Sequence, residues 1–105
     1  MFQNTDVGTA GELAVVLWLQ AKGYNINNWD TKAPGSTDIE VAGSNLKLLV
    51  RVKSASFPKI PSSLSIAEEL NITLRSFITK AQAWEARVLL NTELQPIGIG
   101  WRKLN

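Results

Sequence analysis

The sequence predicts one α/β domain over residues 1–105, with a mixed central sheet flanked by helices in the order α-β-β-β-α-β. Its 105 residues, 45% of them hydrophobic, are enough for a single compact core and too few for two conventional domains. One long apolar segment with helical spacing precedes several short segments in which apolar and polar residues alternate, as they do in strands. Turn-forming Gly, Pro and Asn residues separate these segments.

The first helix is predicted over Thr9–Lys22. Thr9 and Glu12 have the spacing of a capping box, and Gly23 supplies a stop signal at the C-terminal end. The residues predicted to form the inward face recur at helical spacing, and they are Ala10, Leu13, Ala14, Leu17 and Ala21.

Three strands are predicted next, over Tyr24–Trp29, Thr37–Ala42 and Leu46–Lys53. Pro34-Gly35 predicts a turn between the first two. The second and third strands are separated only by Gly43–Asn45, and this close spacing predicts a hairpin.

Two helices and a final strand are predicted in the second half of the chain. Residues 54–75 are interpreted as a loop or insertion region, because they include a proline-rich stretch and only a short helix over Leu64–Leu70. A longer helix is predicted over Ser76–Leu90, and Pro96–Leu104 is predicted to form the last strand. The candidate inward positions of the longer helix are Phe77, Ala81, Trp84, Val88 and Leu89.

Composition excludes several kinds of chemistry. The chain contains no cysteine and no histidine, so disulfides, Cys/His zinc sites, Ser-His triads and imidazole acid–base catalysis are ruled out. Any reaction must use carboxylates, amines, guanidinium groups, hydroxyls, amides or an ion bound by oxygens. No apolar run approaches the roughly 20 residues needed to span a bilayer, and we expect a cytoplasmic protein.

The formal net charge of +2 conceals an asymmetry. Residues 1–45 carry two basic and five acidic side chains, a net −3, whereas residues 46–105 carry nine basic and four acidic ones, a net +5. The first part therefore holds carboxylates that could cluster, and the second part could contact a polyanion.

Two neighbouring predicted strands carry the most informative pattern. Because side chains alternate across a sheet, Asp38 and Glu40 share one face of their strand, and Arg51 and Lys53 share a face of the next. Carboxylate oxygens suit a hard cation such as Mg²⁺, and Mn²⁺ has similar preferences. Such a metal activates water for phosphodiester hydrolysis, while a nearby lysine stabilises the developing negative charge.

With these residues the chain resembles the PD-(D/E)XK nuclease superfamily, which has the restriction-endonuclease-like fold. The closest resemblance is to small members related to archaeal Holliday-junction resolvases and to intron-type or Mrr-type endonucleases. The resemblance spans nearly the whole chain in the right order. The matching segments are Gly11-Glu12, Gly23-Tyr24, Ser36-Thr37-Asp38-Ile39-Glu40, Leu49-Val50-Arg51-Val52-Lys53-Ser54, Gln82 in the later helix, and Pro96-Ile97-Gly98-Ile99-Gly100.

The resemblance implies metal ligation by Asp38, a supporting acid at Glu12 and transition-state stabilisation by Lys53. Gln82 occupies the place of a helix glutamine that several of these families have. One position departs from the pattern, because Arg51 stands where the family usually has an acid or a glutamine. An arginine does not bind Mg²⁺, and it adds positive charge where the ion would lie.

Two hypotheses follow from Arg51. In the first, Glu40 supplies the missing carboxylate from the adjacent strand and joins Asp38 and Glu12 as a metal ligand. In the second, Arg51 pairs with Glu12, Asp38 or Glu40, and this ion pair replaces the metal in a catalytically inactive member of the fold. Such a member would bind DNA or another protein. The simplest alternative is that Glu40, Arg51 and Lys53 are ordinary cross-strand charge pairs, each worth about 0.2–1 kcal/mol.

Substrate contact is expected from Lys59, Arg75 and Lys80 in the basic second half, with DNA as the partner. Nucleases of this fold usually pair two sites to cut two strands, so the resemblance also implies a homodimer. A competing interpretation places a helix-turn-helix DNA-binding module around residues 64–80, with a recognition helix near Thr73–Lys80.

Overall fold

A five-stranded sheet with one helix on each face forms the domain. The computed structural model of the chain describes residues 4–29 and 38–105, so the predicted Pro34-Gly35 turn and the matching residues Ser36 and Thr37 lie outside the described part. The predicted fold class, an α/β domain with a mixed sheet, is confirmed. The elements are α1 (Asn4–Ala21), β1 (Asn25–Asn28), β2 (Ile39–Gly43), β3 (Leu46–Ser56), α2 (Ile66–Thr79), β4 (Gln82–Leu90) and β5 (Pro96–Lys103).

The strands lie in chain order across the sheet, from β1 to β5. Neighbouring strands are antiparallel except for β3 and β4, which are parallel and are joined through α2. The predicted hairpin of β2 and β3 is confirmed, and Asn45 takes a left-handed conformation with φ 62° in its turn. β3 is therefore the central strand: Leu48, Leu49 and Val50 pair with both β2 and β4, and the rest of the strand as far as Ser56 pairs with β4.

The helix predicted over Ser76–Leu90 is wrong, because this segment contains the end of α2 and the whole of β4. The helix lies earlier, where Ser65 and Glu68 form a capping box at its start and Lys80, with φ 58°, ends it. β4 is buried on both faces of the sheet, so its apolar residues do not alternate and also fit a helical period. Because both periods fit, the segment was predicted as a helix and strand β4 was not predicted.

The region 54–75, interpreted as a loop or insertion, contains the end of β3 and most of α2. Only residues 57–65 form an irregular connection. The helix-turn-helix interpretation is wrong as well, because Ile66–Thr79 is one continuous helix with no turn inside it. No Gly or Pro interrupts this segment, so nothing in it forces a break.

The inward face of α1 differs from the predicted one. Val15 and Leu19 are fully buried, whereas Leu13 and Leu17 are 44% and 56% exposed. The apolar run is continuous enough to fit several rotations of the helix, and the structure selects the one that brings Gly11 against Ser54. The helix also begins at Asn4, so Thr9 lies in its interior and the predicted Thr9–Glu12 capping box is absent.

Two apolar layers of unequal size hold the helices on the sheet. The layer under α1 is the main core, and it includes Val15, Leu19, Val41, Val50, Val88 and Leu90. Among the residues that the structure describes, the layer under α2 has four buried members, which are Leu49, Leu64, Ile72 and Ala83. Charged side chains fill the rest of the α2 side of the sheet. None of the described helices is long and apolar enough to cross a membrane.

Candidate functional site

Charged residues on three adjacent strands meet at one level of the sheet, on the side that faces α2. Asp38 comes directly before β2, where Ile39 pairs with Val50, so Asp38 lies beside Arg51 of β3. Arg51 is in turn in register with Glu85 of β4. All three are buried, with exposed fractions of 3% for Asp38, 6% for Arg51 and 0% for Glu85. The charged face of Asp38 and Glu40 and the charged face of Arg51 and Lys53 therefore lie on the same side of the sheet.

Two arginines hold the carboxylate of Asp38. Arg51 Nε donates to Oδ1 at 2.6 Å, and Arg75 Nη1, which reaches down from α2, donates to Oδ2. Arg75 also donates through Nη2 to Glu40 Oε1 at 3.2 Å, so its guanidinium bridges the carboxylates of Asp38 and Glu40. Both oxygens of Asp38 thus accept a charge-assisted hydrogen bond from a guanidinium group, in a site where its side chain has no exposed surface.

Lys53 is engaged by an acid from α2. Its Nζ lies 2.8 Å from Glu68 Oε2, and Arg51 Nη1 lies 3.7 Å from the same oxygen. The hydrogen bond with Lys53 lowers the pKa of Glu68 from 4.5 to about 2, against the opposing effect of burial. Because Glu68 also accepts the Ser65 N–H in the capping box, the start of α2 is tied to β3 through one carboxylate.

Glu85 also belongs to this cluster, although it was not among the predicted site residues. Its carboxylate accepts hydrogen bonds from the Leu64 N–H at 2.8 Å and from Arg102 Nε and Nη2 at 3.2 and 3.1 Å. Burial raises the pKa of Glu85, but these hydrogen bonds and the charges of Arg102 and Arg87 outweigh it, and the pKa lies below 4.5. An acidic residue within an apolar strand indicates a functional or paired position, but Glu85 was predicted to lie in a helix, where a charged residue is ordinary.

Glu12 is buried in α1, with 3% of its surface exposed. Its Oε1 accepts a hydrogen bond from Trp29 Nε1 at 2.9 Å, which joins the first helix to the chain just after β1. With the predicted capping box gone, this buried carboxylate is not explained by helix capping.

Gln82 does not join the cluster. It is the first residue of β4 rather than a helix residue, it pairs with Leu48, and its side chain accepts a hydrogen bond from Trp84 Nε1 at 3.0 Å. Alternation along β4 puts Gln82 and Trp84 on the face that packs under α1, opposite the face of Asp38 and Glu85.

The three residues predicted to contact nucleic acid lie far apart. Lys59 is exposed in the connection after β3, while Lys80 ends α2 beside Lys47, at the start of β3. The 11 residues of β3 separate these two positions by about 35 Å. Arg75 lies between them but is committed to Asp38 and Glu40.

The residues around Asp38 do not fit a divalent cation. Within residues 4–29 and 38–105 there is no group of three or more acidic side chains arranged to hold a metal. Asp38 already has a cation on each oxygen, and the guanidinium of Arg51 lies in the middle of the carboxylates. A guanidinium offers only donors and cannot coordinate Mg²⁺ or Mn²⁺.

The architecture is that of the restriction-endonuclease-like fold, an α/β domain with a mixed central sheet. Among solved structures, the chain is similar to Hjc, a Holliday junction resolvase from the archaeal hyperthermophile Archaeoglobus fulgidus. The match has a TM-score of 0.66 and 22% sequence identity, and it covers 91% of this chain and 70% of the resolvase. No family model and no curated protein sequence matches the chain. The likeness establishes the fold.

Proposed function

We propose that this chain is a DNA-directed domain of the resolvase fold that binds DNA and does not hydrolyse it through a metal at Asp38. The observation that carries the proposal is the hydrogen bond of Arg51 Nε to Asp38 Oδ1. This contact supports the proposal because Arg51 stands where the resemblance implies an acid or a glutamine, and a guanidinium cannot coordinate a metal ion.

The ion pairs can replace a metal structurally because they neutralise the same carboxylates. Asp38 and Arg51 are both buried, so removal of Asp38 would leave the guanidinium of Arg51 in the interior with only the carboxylate of Glu68, 3.7 Å away, to compensate its charge. Breaking a buried pair in this way costs about 3–5 kcal/mol. Arg51 therefore has a structural role that an active metal site would not need.

DNA binding is proposed from the fold of the solved neighbour together with the basic second half of the chain. Lys47 and Lys80 are exposed together at one end of β3, and Lys59 is exposed at the other. Phosphate contacts by these ammonium groups would release counterions, so affinity should fall steeply with added salt.

Metal-dependent phosphodiester hydrolysis is the second candidate. It is favoured by the position of Lys53, which is on the same face of β3 as Arg51 and lies two residues beyond it, as in the nuclease pattern. In this case the chemistry supplied by Mg²⁺ or Mn²⁺ would be activation of the attacking water, and the guanidinium of Arg51 would have to leave the carboxylate of Asp38. Asp38, Glu40 and Glu12 would be the candidate ligands, and Lys53 would stabilise negative charge on the phosphate.

Metal binding and DNA cleavage can be measured on the wild type, Arg51→Glu and Lys53→Ala. By calorimetry we expect no binding of Mg²⁺ or Mn²⁺ to the wild type and binding by Arg51→Glu, which restores an acid beside Asp38. With supercoiled, linear and branched DNA, we expect the wild type to bind without cutting in Mg²⁺ and in EDTA. Metal-dependent cutting that is abolished by Lys53→Ala would establish the second candidate. Absence of any DNA binding would leave a protein-interaction domain.

A further inference from the structure

A cavity of about 440 Å³ lies on the α1 side of the sheet, near the C-terminal end of the helix. Leu19 and Leu48 line it and are buried, with exposed fractions of 1% and 7%, so its interior is apolar. The remaining lining residues are aromatic or basic, and they are Trp18, Lys22, Tyr24, Trp84 and Trp101. The volume is in the range of about 300–1,000 Å³ that is usual for small-molecule sites. The Asp38 cluster faces α2, so the cavity is on the opposite side of the sheet.

Three tryptophans form one aromatic cluster beside this cavity. The ring centroids of Trp18 and Trp101 are 4.8 Å apart, with their planes inclined by 40°, and Trp84 meets Trp101 edge to face at 6.3 Å. These contacts hold the rings in place, yet Trp18 keeps 38% of its surface exposed. The cluster therefore offers flat apolar faces to a planar ring, and little further ordering of side chains is needed for binding.

Lys22 gives the cavity a positive charge. Its Nζ lies over the ring of Trp18, 5.3 Å from the ring centroid. No acidic residue is among the described residues that line the cavity, and the ion pairs within the described parts of the chain do not include Lys22. An ammonium group without a carboxylate partner at the edge of an aromatic cavity favours a ligand that carries a negative charge beside its ring.

We propose that this cavity binds a small planar aromatic carboxylate, with its ring against the tryptophans and its carboxylate near Lys22 Nζ. The single cation matches the single charge of a carboxylate, whereas a phosphate monoester carries nearly two charges. The inference goes beyond the proposed DNA binding and does not depend on it, since it rests on residues of the α1 side of the sheet.

The polar groups around the cavity indicate an apolar ring rather than a nucleobase. Trp84 Nε1 already donates to Gln82 Oε1 at 3.0 Å, and Trp101 Nε1 is buried away from solvent. A purine or pyrimidine ring would lose the water around several polar atoms without gaining enough partners in their place. A hydrocarbon ring has no such cost.

Titration calorimetry with 2-naphthoate as the probe tests the binding. Cyclohexanecarboxylate keeps the charge without the aromatic ring, and 2-naphthylmethanol keeps the ring without the charge. We expect 2-naphthoate to bind about five-fold more tightly than either analogue. Failure of 2-naphthoate to bind, or equal affinities for all three compounds, would overturn the proposal. Tighter binding of deoxyadenosine 5′-monophosphate than of 2-naphthoate would overturn the assignment of an apolar ring.

Variants of Lys22 and Trp18 test which residues hold the probe. Lys22→Gln should weaken binding of 2-naphthoate about five-fold and leave that of 2-naphthylmethanol unchanged, and Lys22→Arg should retain the affinity for both. Trp18→Ala should weaken both about ten-fold, because it removes an aromatic wall. The matched control is Leu17→Ala, which shortens a neighbouring exposed side chain outside the cavity and should leave both affinities unchanged. Circular dichroism establishes that each variant is folded. Wild-type affinity in Trp18→Ala would contradict the proposal.

The indole N–H resonances distinguish this cavity from other apolar surfaces of the molecule. The chain has four tryptophans, so four such signals are expected, each assigned from the corresponding phenylalanine variant. Binding of 2-naphthoate should shift the signals of Trp18, Trp84 and Trp101, which line the cavity. It should leave the signal of Trp29, which donates to Glu12 instead. A shift at Trp29 alone, or no shift at any tryptophan, would place the probe elsewhere and overturn the proposal.

Discussion

At the scale of single residues, Gly11 of α1 lies very close to Ser54 of β3. A Cβ atom added to Gly11 would lie 1.7 Å from Ser54 Oγ and 2.6 Å from Ser54 Cβ, so the helix could not keep its position. The Ser54 hydroxyl is buried there and has no hydrogen-bond partner among the described residues. Glycine at position 11 is therefore required by the distance between the helix and the strand.

We expect Gly11→Ala to lower the free energy of unfolding by about 2 kcal/mol, as overpacking in a core does. Urea denaturation followed by circular dichroism measures this change. Ser54→Ala, which removes the unpartnered hydroxyl, should be neutral or stabilising by about 1 kcal/mol. In the double variant the methyl group added at position 11 no longer meets the hydroxyl oxygen at position 54. Gly11→Ala should therefore lower the free energy of unfolding by less in the Ser54→Ala background than it does alone. Equal costs in both backgrounds would show that the helix adjusts without contacting Ser54.

At the scale of elements, the sequence predicts secondary structure well for segments that are buried on one side and poorly for segments that are buried on both sides. The β2–β3 hairpin and β5 follow from alternation and turn residues, and they are found where expected. The predictions for β4 and for the rotation of α1 were wrong because the apolar residues of both segments lie on more than one face, so that more than one period or rotation fits.

The same limit decided how much of the candidate site could be predicted. Asp38 directly precedes β2, and Arg51 and Lys53 lie on β3; alternation along these strands is clear, so the sequence indicated which of their charged side chains share a face of each strand. Glu68, Arg75 and Glu85 complete the cluster from α2 and β4, the two elements whose bounds were wrong. Long-range pairing of this kind depends on the tertiary fold, because local spacing does not determine which face of a helix covers a sheet.

The attachment of α2 to β3 through Glu68 should make stability depend on pH. The carboxyl has a pKa of about 2 in the folded protein and 4.5 as its ordinary value, so in acid the unfolded state binds a proton first. The stabilisation is fully present above pH 4.5 and is lost as the pH falls from there toward 2. Since the side chain is 26% exposed, solvent screening reduces the loss to about 1 kcal/mol.

Thermal unfolding between pH 6 and pH 2.5 measures this loss in the wild type and in Glu68→Gln. The glutamine can still accept the Ser65 N–H of the capping box, so the variant should differ mainly by its missing charge. We expect Glu68→Gln to be less stable near neutral pH and to lose less stability on acidification. The control Glu93→Gln removes an exposed carboxylate elsewhere, and it should lose as much stability on acidification as the wild type. An unchanged acid profile in Glu68→Gln would show that its contact with Lys53 contributes little.

At the scale of the whole molecule, the separation of the basic residues determines how the domain could engage DNA. Lys59 and Lys80 lie at opposite ends of β3, about 35 Å apart, which is close to one helical turn of duplex. A duplex that contacted both lysines would therefore run along the central strand rather than enter a narrow cleft. Each lysine would then contribute its phosphate contact independently of the other.

Binding of a duplex at several salt concentrations tests this geometry. Lys59→Ala and Lys80→Ala should each reduce the slope of log affinity against log salt by about 1, and the double variant should reduce it by about 2. Lys103→Ala removes an exposed lysine from the edge strand β5 and serves as the control with an unchanged slope. If only one of Lys59 and Lys80 alters the slope, the duplex contacts one end of β3. If the affinity does not depend on salt, phosphate contacts do not hold the DNA, and the basic half of the chain has another role.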